Sequence, residues 1–349
     1  MTQHLYTAAA RAVRRGGGLK RMGSVLWLLL LLVSLASSAL ADGMPSVQEE
    51  YLSGQANPAP VPSMPPVPEV QDDQKNTLAA EPVDMGLLGR QAPPPPPRWD
   101  FTDIPPWESL EEGLQLGLFP ARSSGGSPFE MVILRIDPAR FDFTVETASA
   151  EGRPLSLDGW ATRRGLIAAI NASMYLRDGI TSTGYLRSGE TINNGRIVSR
   201  FGAFFVAGPN SPDLPAANLL DRSTDDWEGL LPHYDMVVQN YRMISSERHL
   251  LWKPGGPKHS ISAVARDGTG AILFILCRQP LTGVDFGSLL LALPIDIRVV
   301  MYTEGGSQAG LIVCTPARSQ VWLGQHLSDF WTGGKGEPLP NVIGVRRRS

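Results

Sequence analysis

From Trp99 onward, short apolar runs alternate with turns that carry Gly, Asn and Asp. The runs Glu130–Ile136 (EMVILRI), Phe141–Val145, Gly165–Ile170, Ala203–Ala207, Ser260–Ala265, Ala271–Leu276, Ile297–Tyr302 and Leu311–Cys314 have the length and composition of strands. Helical spacing is rarer. Trp107–Leu118 places apolar residues as one helix face would, and Leu157–Arg164 reads as a short helix with Ser156 as its cap. Asp285–Leu293 is a better helix, stopped before Pro294. No internal repeat is evident. Many strands with few helices predict an α+β fold, a single domain built around a mixed, mostly antiparallel sheet.

The first 98 residues read differently. Arg11, Arg14, Arg15, Lys20 and Arg21 precede the apolar stretch Val25–Ala41, which ends in Ala39-Leu40-Ala41. A basic region, a leucine-rich core and small residues at the end describe an export signal over residues 1–41. An uncleaved membrane anchor is the alternative. Either way the folded part is expected outside the cytoplasm, in the periplasm or beyond the cell. Residues 42–98 hold thirteen of the thirty prolines, ending in Pro93–Pro97. Proline fixes φ and lacks a donor, so this stretch is expected to be a disordered, extended tether. The domain then spans residues 99–349.

Composition narrows the partners. The formal charge of the 349 residues is −3. The export segment carries five basic side chains and no acid, so without it the charge is −8. A net anion lacks the basic footprint that nucleic acid requires. No nucleic-acid partner is expected, and contact with a membrane only through an uncleaved anchor. Cys277 and Cys314 are the two cysteines. In an oxidising compartment they form one disulfide or stay as two buried thiols, and their sequence positions leave both open.

The common catalytic signatures are missing: no HExxH, CxxC, Walker loop or dinucleotide fingerprint, and five scattered histidines. Two segments stand out. In Val299–Gly310 (VVMYTEGGSQAG) an apolar strand ends in Glu304, followed by Gly305, Gly306 and Ser307. Glycines there admit close approach of a ligand to the backbone, and the acid is placed to protonate a leaving group or bind a cation. A plain hairpin turn with a solvated Glu304 is the competing reading. Gly305–Ala309 also approximates a nucleophile elbow, but that motif leads into a helix, whereas a strand is expected next. His326 and Asp329 also come in the wrong chain order for it. In the second segment a strand runs into Asn171, with small Ala172 and Ser173 behind it, then Met174 and Tyr175. Asn171-Ala172-Ser173 is in addition a glycosylation sequon.

Six motifs in order resemble the phosphodiester glycosidase domain family, whose best-known branch, the lysosomal uncovering enzyme, removes N-acetylglucosamine from a sugar phosphodiester. They are Asn171–Tyr175, Gly184–Glu190, Gln239–Arg242, Lys258–Ala265 with Asp267-Gly268, Met301–Ser307, and Leu339–Ile343. The resemblance covers roughly residues 125–349. Three departures mark it: Glu304 where the family has Asp, Ser173 for a glycine, and Asn240-Tyr241-Arg242 for a smaller Ser-Gly-Pro.

The resemblance implies cleavage at an anomeric carbon with a phosphate monoester leaving. Such chemistry is helped by a carboxylate near the sugar and by cations and donors at the phosphoryl oxygens. Glu304 is the implied carboxylate, as acid/base or as ligand to a divalent ion, with Asn171 as its catalytic partner. Asn171 and Gln239 are implied to hold sugar hydroxyls. Arg242, Lys258 and His259 are implied on the phosphate side, with the backbone amides of Gly305 and Gly306 as additions and Ser307 also substrate-binding. Two functions follow: an exported hydrolase of glycosyl-1-phosphodiester or related envelope and exopolysaccharide linkages, or a non-catalytic carbohydrate-binding or envelope-assembly module on the same scaffold.

Overall fold

The computed structural model describes residues 99–100, 107–123, 126–324 and 336–348. The chain divides into two units, Met1–Leu88 and Gly89–Ser349, and every described residue lies in the second. The export segment, the proline-rich stretch, His326 and Asp329 lie outside the described residues.

The fold is α+β, with strands dominant, few helices, and every described strand pairing antiparallel. The expected sheet is divided into three. The first runs Trp99–Asp100, Leu114–Ser123, Phe129–Ile136, Ile272–Leu281, His259–Asp267, Ile297–Gly305, Arg242–Ile244, with Glu108–Glu111 also pairing on Leu114–Ser123. The second runs Ala217–Asp221, Ala203–Pro209, Tyr234–Asn240, Leu186–Ser188, Thr191–Asn194. The third runs Ser319–Leu323, Gly310–Cys314, Ala168–Asn171, Asn341–Arg347, Phe141–Thr147.

One core joins them. Phe143 of the third sheet meets Phe205 of the second at 5.8 Å and Phe274 of the first at 6.2 Å. Each sheet's other face is covered by helix. Phe286, Leu289 and Leu290 of helix Gly283–Ala292 pack on the first sheet. Helix Leu157–Arg164 packs on the third, and Trp227–Leu230 with Leu231–His233 on the second. Two covered faces explain why the strands read as unbroken apolar runs rather than as alternation. In Ile297–Gly305, Val299 and Met301 enter the shared core while Val300 and Tyr302 enter the helix side.

The helix caps form as the sequence requires. Ser156 Oγ accepts from Gly159 N at 3.1 Å, and Thr282 Oγ1 from Asp285 N at 3.1 Å. The helix expected over Trp107–Leu118 is instead a hairpin, Glu108–Glu111 against Leu114–Ser123. Leu110, Leu114 and Leu118 satisfy helical spacing, but Leu114, Leu116 and Leu118 also satisfy period two. Gly113 at φ +84° turns the chain between the strands, a conformation a side chain would strain. Cys277 and Cys314 are free thiols, on strands of different sheets. Burial pushes Cys277 up to about 12, so it packs as a small apolar residue.

Candidate functional site

Strand Ile297–Gly305 does not turn back on itself after Glu304. Its successor, Gly310–Cys314, belongs to the third sheet, and a 3-10 turn over Gly306–Gln308 carries the chain across. The hairpin with a solvated glutamate is thereby excluded. Glu304 stands where two sheets meet and is buried.

A β-bulge aims it. Tyr302 lies opposite Ala263 and Glu304 opposite the next residue, Ser262, so Thr303 is the extra residue. Regular alternation would put Tyr302 and Glu304 on one face. The bulge places Thr303 and Glu304 together opposite Ser262 instead, and bulges commonly re-aim a side chain beside a site. Ser262 Oγ lies 2.8 Å from Asn171 Oδ1 and 3.1 Å from the Glu304 carbonyl, and it accepts from Thr303 Oγ1 at 2.9 Å. Residues 91 positions apart in sequence, Asn171 and Ser262, are thus joined directly, and Glu304 with them.

The site carries unmet polar atoms. Gly305 N donates to Glu304 Oε1 at 2.9 Å, while Glu304 Oε2 has no protein partner among the described residues. Asn171 Oδ1 accepts from Ser262 and from Gly310 N at 3.2 Å, but its Nδ2 is orphaned. Asn341 is on the strand beside Asn171, and its Oδ1 accepts from Ser173 N and Ser173 Oγ at 3.0 and 3.1 Å. Its Nδ2 is orphaned too. Each such atom costs about 1–3 kcal/mol, so each of these three is a point where a ligand or water would complete the bonding.

Burial sets the electrostatics. Desolvation pushes the Glu304 carboxyl up to about 7, against the Gly305 hydrogen bond and helped by the charge of Glu337. Burial also lifts Tyr175 to about 12, with the charges of Glu304 and Glu337 adding to it, and Gln308 Nε2 donates to its hydroxyl. Burial lowers His259 below the ordinary histidine value, which favours the neutral ring. His259 Nδ1 faces the Ser260 carbonyl at 3.2 Å, so that nitrogen carries the proton.

Gly305 and Gly306 are required for different reasons. A Cβ on Gly305 would stand 2.6 Å from the Tyr302 hydroxyl and 3.0 Å from the His259 ring. Gly306 has φ +69°. Ser307 is half-buried in the turn. Lys258 is exposed on the segment preceding His259.

Two candidates are engaged by the fold itself. Gln239 is wholly buried, and its Oε1 accepts from Val198 N at 2.9 Å and Tyr185 N at 3.4 Å. Its Nε2 donates to the Val198 and Phe201 carbonyls at 2.8 and 2.9 Å. No capacity remains for a sugar hydroxyl, and Gln239 instead pins residues 198–201. Arg242 pairs with the fully buried Asp221, which removes it from the phosphate side. Burial also lowers its pKa. Asn171, being 2% exposed, is no acceptor for glycosylation in the folded chain. Sequence reasoning missed Ser262, Asn341, Tyr175 and Tyr302. All four lie inside the motifs of the resemblance, yet nothing distinguished Ser262 from other strand serines.

Among the described residues no group of three or more His, Cys, Asp or Glu side chains is arranged to hold a metal ion. A cleft of about 1440 Å³ lies elsewhere, lined by Arg135, Phe143, Met236, Arg346, Arg347 and others, and it includes none of the candidate residues. Its arginines are tied to carboxylates: Arg135 to Asp267, Arg346 to Glu146, Arg347 to Glu111.

No protein-family model and no curated protein matches the sequence. Solved structures do match. The zebrafish N-acetylglucosamine-1-phosphodiester alpha-N-acetylglucosaminidase catalytic domain is 10% identical with TM-score 0.46, over 72% of this chain and 89% of that one. A protein from Synechocystis is 14% identical with TM-score 0.49, over 70% of this chain and 64% of that one.

Proposed function

We propose that the chain is an exported hydrolase of glycosyl-1-phosphodiester or closely related saccharide linkages, with Glu304 as its acid/base. The observation that carries this reading is a buried Glu304 carboxyl whose Oε2 has no partner among the described residues, with Asn171 joined to the Glu304 backbone through Ser262, and Asn171 and Asn341 on neighbouring strands each keeping an unpartnered Nδ2. Two amide donors suit sugar hydroxyl oxygens or an oxygen gaining negative charge. A carboxyl near 7 is matched to proton transfer at neutral pH.

A phosphate monoester leaves without strong protonation, so the demanding proton is the one on the attacking water. Ionised Glu304 takes that proton as water oxygen bonds to the anomeric carbon. The bond from that carbon to the phosphate oxygen breaks with its electron pair, which leaves with the phosphate. The products are a free sugar and a phosphate monoester. Asn171 and Asn341 hold the sugar, and Ser262 fixes the Asn171 amide so that Nδ2 is the group presented.

The test is turnover of a panel of chromogenic sugar-1-phosphodiesters by the full chain. Wild type is expected to turn over at least one, with kcat/KM rising through a midpoint near 7, and Glu304→Gln to lose the activity. Full turnover by Glu304→Gln removes Glu304 from the mechanism. A specific observation favours the second reading, a non-catalytic carbohydrate-binding or envelope-assembly module: Gln239 and Arg242 serve the fold rather than a substrate. Saccharide binding with no turnover across the panel selects that module.

A further inference from the structure

A row of aromatic rings adjoins the Glu304 corner and extends away from it. The Tyr302 hydroxyl and the His259 ring cover the α-carbon of Gly305. His259 and Tyr302 have ring centroids 6.4 Å apart, Tyr302 and Trp252 5.4 Å, Trp252 and Tyr241 6.1 Å, and Tyr241 and Phe201 4.4 Å. The row ends beneath the exposed Arg200, whose guanidinium stands 5.6 Å from the Phe201 ring and 5.8 Å from the Tyr241 ring.

The row is held rigidly. Trp252 lies so close to Gly283, at the start of helix Gly283–Ala292, that a Cβ there would stand 2.0 Å from the indole. Trp252 Nε1 donates to the Arg242 carbonyl at 3.3 Å, and Tyr302 N to the Tyr241 carbonyl at 2.9 Å. Gln239 clamps the Val198 and Phe201 backbones, which fixes Arg200 outside. Phe201 and Tyr302 are buried and back the row, while Tyr241, Trp252 and His259 are half-buried.

Charge gives the second, independent observation. The segments 195–202 (GRIVSRFG) and 253–258 (KPGGPK) adjoin the row in sequence and contain four basic residues and no acid. Arg196, Arg200, Lys253 and Lys258 are all exposed. This local positive charge stands out in a chain of net −3. Aromatic faces suit the C–H faces of sugar rings, and exposed arginine and lysine suit carboxylate or phosphate groups along a chain.

We propose that this row and its basic segments form an extended subsite for an anionic oligosaccharide, leading to Glu304. The inference rests on the hydrolase reading for the direction of the chain, and it narrows the substrate class from a lone sugar phosphodiester to an acidic polymer. Calorimetric titration tests it on the full-length Glu304→Gln chain, where turnover does not interfere. The probes are tetragalacturonate, uncharged maltotetraose, and glucose 1-phosphate, which carries charge without a chain. Tetragalacturonate is expected to bind about tenfold more tightly than either control, with affinity falling as salt rises. Adding Arg200→Gln or Tyr241→Ala weakens it about tenfold, while Tyr241→Phe, which keeps the ring, binds like its parent. Thermal melting confirms that each variant is folded. Equal affinity for the charged and uncharged tetrasaccharides overturns the proposal, as does unchanged binding by folded Arg200→Gln and Tyr241→Ala. Failure here leaves turnover of the simple phosphodiesters untouched, whereas failure of the hydrolase reading appears as absence of that turnover in wild type.

Discussion

Asp221 and Glu304 are two of the buried carboxylates among the described residues, and they are treated in opposite ways. Asp221, with 0% exposure, is met on every side: Oδ1 by Ser223 N at 2.9 Å, Ser223 Oγ at 2.7 Å and Arg242, and Oδ2 by Ser246 N at 2.8 Å. Glu304 receives one backbone hydrogen bond, and its other oxygen has no partner among the described residues. A buried charge whose bonds are filled by the protein holds elements together, here the second sheet to strand Arg242–Ile244 of the first. A buried acid left half-bonded, with a raised pKa, is a group held ready for something outside the chain. Burial alone does not separate the two. The state of the hydrogen bonds does.

Substitutions can break that contrast. The largest effect is expected from Glu304→Gln, which should lower turnover of a sugar-1-phosphodiester by about two to four orders of magnitude in steady-state assays. Asp221→Ala should do the reverse, destabilising by about 3–5 kcal/mol through the stranded Arg242, read from urea unfolding, while folded molecules keep their turnover. If both variants lose activity alike, the distinction fails.

The pH dependence of stability sharpens it next. A carboxyl whose folded pKa lies above its unfolded value favours the native state at low pH, and that contribution is lost as pH rises through the folded value. For Glu304 the window runs from 4.5 to about 7. Glu304→Gln should therefore match wild type at pH 4 and become more stable above pH 7, by up to about 3 kcal/mol. Denaturant titrations at both pH values check the sign. A variant less stable than wild type at pH 8 would show the carboxylate to be well bonded after all.

The smallest effect is at the corner itself. Gly305→Ala drives a methyl against the Tyr302 hydroxyl and His259 and should destabilise by about 1–3 kcal/mol, measured by thermal melting. No change would mean that the tyrosine yields freely and that the corner is looser than its contacts imply.

Much of the fold was legible because both faces of most strands are covered, which writes long apolar runs into the sequence. The exception, Trp107–Leu118, shows the ambiguity of leucines that satisfy two periods at once, where Gly113 decided for a hairpin. Glu304 and Asn171 stood out as candidates because each ends an apolar strand and is followed by small residues. The engagement of Gln239 and Arg242 within the fold was not legible, because a sequence shows which donors a side chain owns but not who occupies them. The pairing of Ser262 with Glu304 and the extra residue Thr303 was invisible, since a bulge is a relation between two strands and leaves no local mark.

The order of apolar and turn residues therefore determined that this chain builds antiparallel sheets with few helices, and it singled out the acid and the amide at two strand ends. Local sequence suffices for that, because strand period, glycine freedom and helix caps act over a few neighbouring residues. Only the tertiary structure joined Asn171 to the Glu304 backbone through Ser262, set Asn341 on the strand beside Asn171, placed a bulge at Thr303, and enclosed Asp221 with its partners. Those outcomes depend on which distant backbone and side-chain groups fill each hydrogen bond and exclude water, and that is fixed when the sheets pack.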